Sequence, residues 1–339
     1  MTLLQKIIEK EKELIASNHV LPTLSTTRNL EEPPYLMNLR MPSENPLQRD
    51  RNLYAGSTIH HEPQNASTQK SSPTLSDPFE CPDPGQIIET LFNTHHILIN
   101  KYLCADHHIV VPTVQFEDQL SHLTLADCCA ASKILSEIDG VLWYNSGRNS
   151  GASQIHKHLQ CIPLDSFDSV PIHQYYLISP TYEPKFIDNP INPLFKSLTF
   201  FSPCLHAFHE FSVTDVERSA HDPNQLLSLI NSALLLLETE MKECGYLPPD
   251  SPPVLEQSPA PFSYNVVITR KVLLVVPRQR SEWIPPSNER SRVSPSPIGA
   301  NSLGMAGFLY AKTPEIQDAL LTFGARNFIH ALCFVHPER

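Results

Sequence analysis

Residues 140–164 read GVLWYNSGRNSGASQIHKHLQCIPL. GVLWYNSG has the apolar density of a strand, and QIHKHLQCIPL is a second strand that returns beside it. The glycine- and serine-rich stretch between them turns the chain. On the returning strand side chains alternate, so Gln154, His156, His158 and Gln160 share one face, and Ile155, Lys157 and Leu159 take the other. A row of four polar groups is costly to bury unless each finds a partner. Upstream, Ser150, Gly151, Ala152 and Ser153 offer small side chains and open backbone amides, a nest suited to an anion. An anion nest beside a line of imidazoles points to chemistry on a phosphate ester or anhydride.

The rest of the chain bounds that reading. Only 10 of 339 residues are glycine, against 32 prolines, and six of the glycines fall in or just before two short segments, 140–151 and 299–307. The longest apolar runs, VLLVVP at 272–277 and ALLLLE at 233–238, are far short of a membrane span. The first 18 residues are charged throughout and form no secretory signal. They predict an amphipathic helix with Leu4, Ile7, Ile8 and Leu14 inward. Eight cysteines without CxxC spacing suit a reducing compartment, and the cytoplasm, with the nucleus beside it, is the expected location. A net charge of -11 argues against a general nucleic-acid binder but not against a small phosphate-bearing substrate. Two histidines two apart could ligate zinc, but no cysteine or carboxylate stands at suitable local spacing.

Four regions are expected. Residues 1–40 form the N-terminal helix and lead-in, and 41–77 a loop or insertion rich in Pro, Ser and Asn. Residues 78–195 form a catalytic region and 196–339 a C-terminal region. In the catalytic region HHILINKY (95–102) and HHIVVPTV (107–114) predict two strands joined by a short turn, followed by a helix at LTLADCCAASKILSEI. In the C-terminal region QLLSLINSALLLLETEMKE predicts the longest helix, PFSYNVVITRKVLLVVPR two strands, and Pro314 opens a closing helix.

GASQIHKHLQ (151–160) resembles the GASQPHKHLQ element of the diadenosine tetraphosphate (Ap4A) phosphorylases, or ATP adenylyltransferases, of the HIT and galactose-1-phosphate uridylyltransferase superfamily. Ile155 stands where the family has proline. DPFECPDP (77–84), HHILINKY, SYNVVITRKVLLVVPR (263–278) and NSLGMAGF (301–308) are similar to further family elements. The resemblance implies an α+β fold of HIT type, a mostly antiparallel sheet with packed helices, elaborated by the C-terminal region. It implies reversible phosphorolysis of diadenosine tetraphosphate to ATP and ADP, with His158 as nucleophile, His156 orienting the site and Gln160 contacting the transferred phosphoryl group. It also places Asn100, Lys101, Asn145, Gly151, Ala152, Ser153, Gln154, Ser263, Tyr264 and Asn265 at the nucleotide and phosphates. The implied partners are the small molecules diadenosine tetraphosphate, ATP, ADP and phosphate, with no nucleic acid and no membrane. No cofactor is required, although Mg²⁺ could neutralise the polyphosphate.

The residue chemistry agrees: a neutral imidazole is nucleophilic near pH 7 if its other nitrogen donates to a fixed acceptor. Gln160 can donate hydrogen bonds but no proton, which suits a leaving group that is already a stable anion. Lys157, turned away by strand parity, is read as a solvated or structural charge, and Arg278 as either a phosphate contact or a strand-end cap. Family positions matched only loosely are His206 and Arg51. Three alternatives stay open: a sugar-nucleotide transferase of the same superfamily, a hydrolase, and a noncatalytic nucleotide-binding protein.

Overall fold

The computed structural model describes residues 1–20, 25–32, 35–42, 77–167, 171–174, 186–198, 200–211, 222–285, 297–311 and 313–337. Nearly all of the insertion read at 41–77, including Arg51, lies outside them. The chain runs α1 (Leu3–Ala16), β1 (Ser25–Glu32), β2 (Tyr35–Pro42), β3 (Ile87–Leu91), β4 (His95–Ile99), β5 (Ile109–Pro112), α2 (Leu125–Glu137), β6 (Gly140–Ser146) and β7 (His158–Pro163). It continues with β8 (Phe186–Asp188), β9 (Lys196–Leu198), β10 (Ala207–Glu210), α3 (Pro223–Glu243), β11 (Ser263–Ile268) and β12 (Val272–Arg278). The last elements are β13 (Glu282–Trp283), β14 (Ile298–Gly299), α4 (Ser302–Met305), β15 (Phe308–Tyr310), α5 (Pro314–Phe323) and α6 (Ala325–Leu332).

Ten strands form one sheet in the order β3-β4-β5-β7-β6-β11-β12-β10-β9-β8, every pair antiparallel. The α+β reading therefore holds. Because partners across a ladder share a face, Leu98, Val110, Gln160, Trp143, Val267, Leu274 and Phe208 form one continuous row across seven strands. Their intervening neighbours build a different core. Leu159, Leu142, Tyr144, Val266 and Leu273 pack with α1, α2 and α3 on one side of the sheet. Trp143, Val267 and Leu274 pack with α4, Phe308, α5 and α6 on the other. β15 joins β1 and β2 in a three-stranded sheet, with Leu309 parallel to Leu39. β13 and β14 pair by themselves.

Local chemistry sets the helix ends. Thr124 and Asp127 form a reciprocal capping box at the start of α2, and Asp222 caps α3 with Pro223 in its first turn. The closing helix is two helices: Gly324, at φ +89°, ends α5 and starts α6. The inward stripe of α1 is Leu3, Ile7, Glu11 and Leu14, rotated from the expected one so that Leu4 and Ile8 are half-buried. Its position is fixed by Glu11, whose carboxylate accepts from the His107 backbone N–H at 2.7 Å.

Two strands are shorter than the sequence suggests. β4 and β5 are joined by nine residues rather than a tight turn. β7 starts only at His158, because residues 155–157 bond to the 117–119 segment instead. Gln119 N donates to Ile155 O and Lys157 N to Glu117 O, both at 2.7 Å. Among the described residues no helix is long and apolar enough to cross a membrane.

Candidate active site

His158 opens β7, and its surroundings fix it from three directions. Gln119 is buried and clamps the backbone: its Oε1 accepts from His158 N at 2.8 Å, and its Nε2 donates to the Asn145 carbonyl of β6 at 2.8 Å. The imidazole Nδ1 donates to the His156 carbonyl at 2.8 Å, so the lone pair resides on Nε2. Among the described residues nothing hydrogen-bonds that Nε2. Burial, helped by the nearby His156, holds the His158 pKa down at about 4 against the backbone bond that raises it. The ring is therefore neutral at pH 7 and carries its nucleophilic nitrogen on the free side.

His156 differs in kind. Its Nδ1 donates to Asp77 Oδ2 at 2.7 Å, and its Nε2 lies 2.8 Å from the Thr113 carbonyl and 3.0 Å from Thr113 Oγ1. Both of its nitrogens are engaged within the protein, so it orients and does not attack. Phe79 lies against both rings, 5.9 Å from His156 and 5.3 Å from His158 between centroids, and Phe116 closes on His156 at 5.4 Å.

Between them, Lys157 points to the opposite face and is 1% exposed. Its ammonium meets Asp127 at 2.7 Å and Glu117 at 3.1 Å, and donates to the His122 carbonyl at 2.8 Å. Asp127 is also bound by His95 Nε2 at 3.1 Å. Burial alone would raise the Asp127 pKa, but the bonds from His95 and Lys157 and the Lys157 charge outweigh it and hold it at about 2. Lys157 is thus a structural charge and not a solvated one.

On the His158 face lies a lane of amides. Asn145 Oδ1 accepts from Asn265 Nδ2 (2.9 Å), Ser302 N (2.9 Å) and Ser302 Oγ (2.7 Å), while Asn145 Nδ2 has no partner among the described residues. Asn265 is spent within the protein: its Nδ2 also donates to Ser150 O at 2.8 Å, and its Oδ1 accepts from Arg278 at 2.6 Å. Arg278 donates further to Ala300 O at 2.9 Å and Arg280 O at 3.0 Å. It is 1% exposed, a buried tie between β12 and the 300–302 turn.

The glycine loop leans on the same turn. Gly147 and Gly151 adopt φ of +90° and +84°. A Cβ on Gly151 would lie 3.0 Å from Ala300 O, and one on Gly147 would collide with Ser263. Ser263 Oγ accepts from Asn149 N at 3.0 Å, which holds the loop. Gly151 and Ser153 are exposed, Ala152 and Gln154 half-buried, and the side chains of Ser153 and Gln154 make no hydrogen bonds among the described residues. The middle residue of the SYN element, Tyr264, turns to the other face, where its ring stacks on His122 at 6.3 Å.

Gln160 and the NK pair meet through a residue that sequence reading did not single out. His108 Nε2 is 3.0 Å from Gln160 Oε1 and 3.2 Å from Asn100 Nδ2. Lys101 is exposed, 5.7 Å above the Tyr102 ring. His206 is placed elsewhere: buried at β10, it donates through Nδ1 to Cys204 O at 2.8 Å and accepts from Leu198 N at 2.6 Å. Among the described residues no group of three His, Cys, Asp or Glu side chains is arranged to hold a metal ion.

A neutral imidazole with one nitrogen locked and the other free, on the same face as the amides and the glycine loop, is an arrangement chemically able to attack phosphorus. Residues 55–177 match the model of the Ap4A phosphorylase N-terminal domain and residues 202–335 that of the ATP adenylyltransferase C-terminal domain, together more than half of the chain. The chain belongs to the Ap4A phosphorylase (ATP adenylyltransferase) family of nucleotidyltransferases. Among similar proteins of Saccharomyces cerevisiae, diadenosine 5',5'''-P1,P4-tetraphosphate phosphorylase 2 is 26% identical over 277 residues, covering 75% of this chain and 74% of its own. Protein APA1 of the same yeast is 25% identical over 231 residues, 66% of this chain and 63% of its own. The crystal structure of yeast Ap4A phosphorylase Apa2 shares the fold with a TM-score of 0.71 at 20% identity, covering 99% of both chains. The same enzyme in complex with Ap4A gives 0.69 at 20% identity, again over 99% of both.

Proposed function

We propose that this protein catalyses the reversible phosphorolysis of diadenosine tetraphosphate to ATP and ADP through an adenylyl-His158 intermediate. The observation that carries the reading is the Nδ1 bond from His158 to the His156 carbonyl, which leaves the Nε2 lone pair free on a neutral ring. In the first step Nε2 attacks the α-phosphorus of one adenylyl unit. A P–N bond forms, the P–O bond to the remaining ATP breaks, and ATP departs as an anion. Inorganic phosphate then attacks the same phosphorus, the P–N bond breaks, and ADP leaves with the His158 lone pair restored. No proton need reach the leaving group, since a polyphosphate is a stable anion.

Gln160 and Asn145 supply amide hydrogens for the phosphoryl oxygens, and the backbone at Gly151, Ala152 and Ser153, with Gln154 beside it, cradles the phosphate chain. Asn100 and Lys101 contribute from the β4–β5 connection. Ser263, Tyr264 and Asn265 act from behind, since Asn265 and Ser263 are occupied in holding Asn145 and the glycine loop. His156 keeps the carbonyl on which the His158 tautomer depends. Residues 78–195 form the catalytic region and 196–339 the region that buttresses it. The eight cysteines, none of them in a disulfide, suit the reducing environment of the cytoplasm.

A product assay tests the reaction class. Diadenosine tetraphosphate is expected to yield ATP and ADP in equal amounts only when phosphate is added. AMP release without phosphate would instead make the protein a hydrolase, and productive use of galactose-1-phosphate in place of phosphate a sugar-nucleotide transferase.

A further inference from the structure

Arg278 is 1% exposed and carries a full positive charge, since a guanidinium does not deprotonate in a protein. Burying a charge is costly, and an opposite charge beside it is the usual compensation. Among the described residues no carboxylate meets this one. Its acceptors are all neutral: Asn265 Oδ1 at 2.6 Å and the carbonyls of Ala300, Arg280 and Leu332 at 2.9, 3.0 and 3.4 Å. Lys157, the buried cation on the opposite face, instead has the carboxylates of Asp127 and Glu117 beside it.

The contacts of Arg278 also have a direction. A guanidinium has only N–H groups to offer, so Asn265 must turn its oxygen toward it. The Asn265 amide nitrogen then faces two oxygens, Asn145 Oδ1 at 2.9 Å and the Ser150 carbonyl at 2.8 Å, and donates to both. Asn145 Oδ1 accepts as well from the Ser302 backbone N–H, which can only donate. Both amides are therefore held the same way round by partners whose roles are fixed. The hydrogen bonds run one way, from the guanidinium through Asn265 to Asn145, and the chain ends at Asn145 Nδ2 on the His158 face. In such a chain each bond polarises the next, so a cation at its head makes the last N–H a better donor.

We propose that Arg278 is a positioning residue for adenylyl transfer: its charge, unmatched by a carboxylate, acts through Asn265 and Asn145 and has the polyphosphate of the substrate as its counter-charge. The inference rests on the role given to Asn145 above. A buried charge acts strongly on an anionic ligand and hardly at all on a neutral one, whereas a merely structural tie would serve both alike.

Calorimetric titration of the full-length protein with ATP and with adenosine tests the charge. Arg278→Gln and Arg278→Met both remove it, the first keeping a donor for Asn265 and the second an apolar filling, so that the test does not hang on one variant folding. Each is expected to weaken ATP binding on the order of 10-fold while adenosine changes less than about twofold. Equal weakening of both ligands, or of neither, would overturn the proposal. Arg278→Lys, which keeps the charge but not the fork, is expected to hold the ratio of the two affinities within about threefold of wild type, and a tenfold fall in that ratio would count against the charge. A cycle in phosphate-dependent turnover tests the relay: Arg278→Gln is expected to lower kcat about 10-fold alone and less than about threefold in an Asn145→Ala background. Equal losses in the two backgrounds would refute action through Asn145 while leaving Asn145 its role. No loss from Asn145→Ala would remove the underlying reading instead.

Discussion

Replacing Lys157 with methionine leaves Asp127 as a carboxylate 2% exposed, with His95 and the Thr124 cap as its remaining partners. The cost can be set from two sides. Holding Asp127 at a pKa of about 2 rather than 3.8 corresponds to about 2 kcal/mol of stabilisation, part of it from Lys157. Removing one partner of a buried pair costs about 3–5 kcal/mol, because the surviving charge stays desolvated. We take about 3 kcal/mol, since Asp127 keeps two other donors. At roughly 2–4 °C per kcal/mol for a large domain, the melting temperature should fall by about 6–12 °C. Differential scanning calorimetry measures it. Adding Asp127→Asn should restore more than half of the loss, since no charge is left buried and the amide oxygen can accept from the Thr124 N–H while the amide nitrogen donates to His95 Nε2 in its other tautomer. Because the ammonium faces away from His158, KM for the dinucleotide should stay within about threefold, as for a residue that takes no part in ground-state binding. A variant that melts like wild type but binds substrate tenfold more weakly would refute the structural assignment and put Lys157 on the polyphosphate.

Gln119→Leu removes both arms of the clamp and leaves His158 N and the Asn145 carbonyl buried without partners, at about 1–3 kcal/mol each. Urea denaturation should register that loss together with a fall in kcat, whereas unchanged stability would mean the clamp is redundant. His108 and His158, both held near pKa 4, are buried neutral. Below the ordinary value near 6.5 the unfolded chain takes up protons that these folded rings refuse. Stability should therefore decline as pH falls from about 6.5 to about 4, by up to about 3 kcal/mol per ring, and level off below as the folded rings titrate. Denaturation midpoints measured across that range, compared with His108→Gln, check it; no difference in slope would contradict the assignment. Ile155→Pro should be tolerated within about 1 kcal/mol, since the Ile155 N–H makes no hydrogen bond among the described residues and the side chain is 46% exposed. A larger loss in thermal melting would show that the position needs a backbone conformation proline cannot adopt.

What was legible in the sequence follows physical range. HxHxQ declares its chemistry because period-two alternation puts His156, His158 and Gln160 on one face whether or not the ladder reaches all of them. The long helix at 223–243 and the paired strands at 263–278 declare themselves by apolar period and by Pro and Gly punctuation. The supports of the nucleophile do not. Gln119 is 39 residues from His158 and Asp77 is 79 from His156, and no local pattern marks a glutamine or aspartate that will meet a histidine from another segment. The HH pair before β5 was visible, but not that its second ring would reach across to Gln160. Lys157 shows the same limit in reverse: strand parity gives its direction, but only the packed helix α2 reveals that Asp127 waits there. Arg278 is a buried tie, which the sequence alone does not distinguish from a phosphate contact or a cap, because its acceptors come from the 300–302 turn and from Leu332.

The covalent step is tested most directly by incubating the protein with dinucleotide labelled in the adenylyl group, without phosphate, and mapping the modified peptide. The expected result is one adenylyl group per active chain, attached through an acid-labile, base-stable P–N bond to His158, and discharged as ADP when phosphate is added. Label on another residue, or full phosphorolysis by a protein in which His158 is alanine, would contradict it.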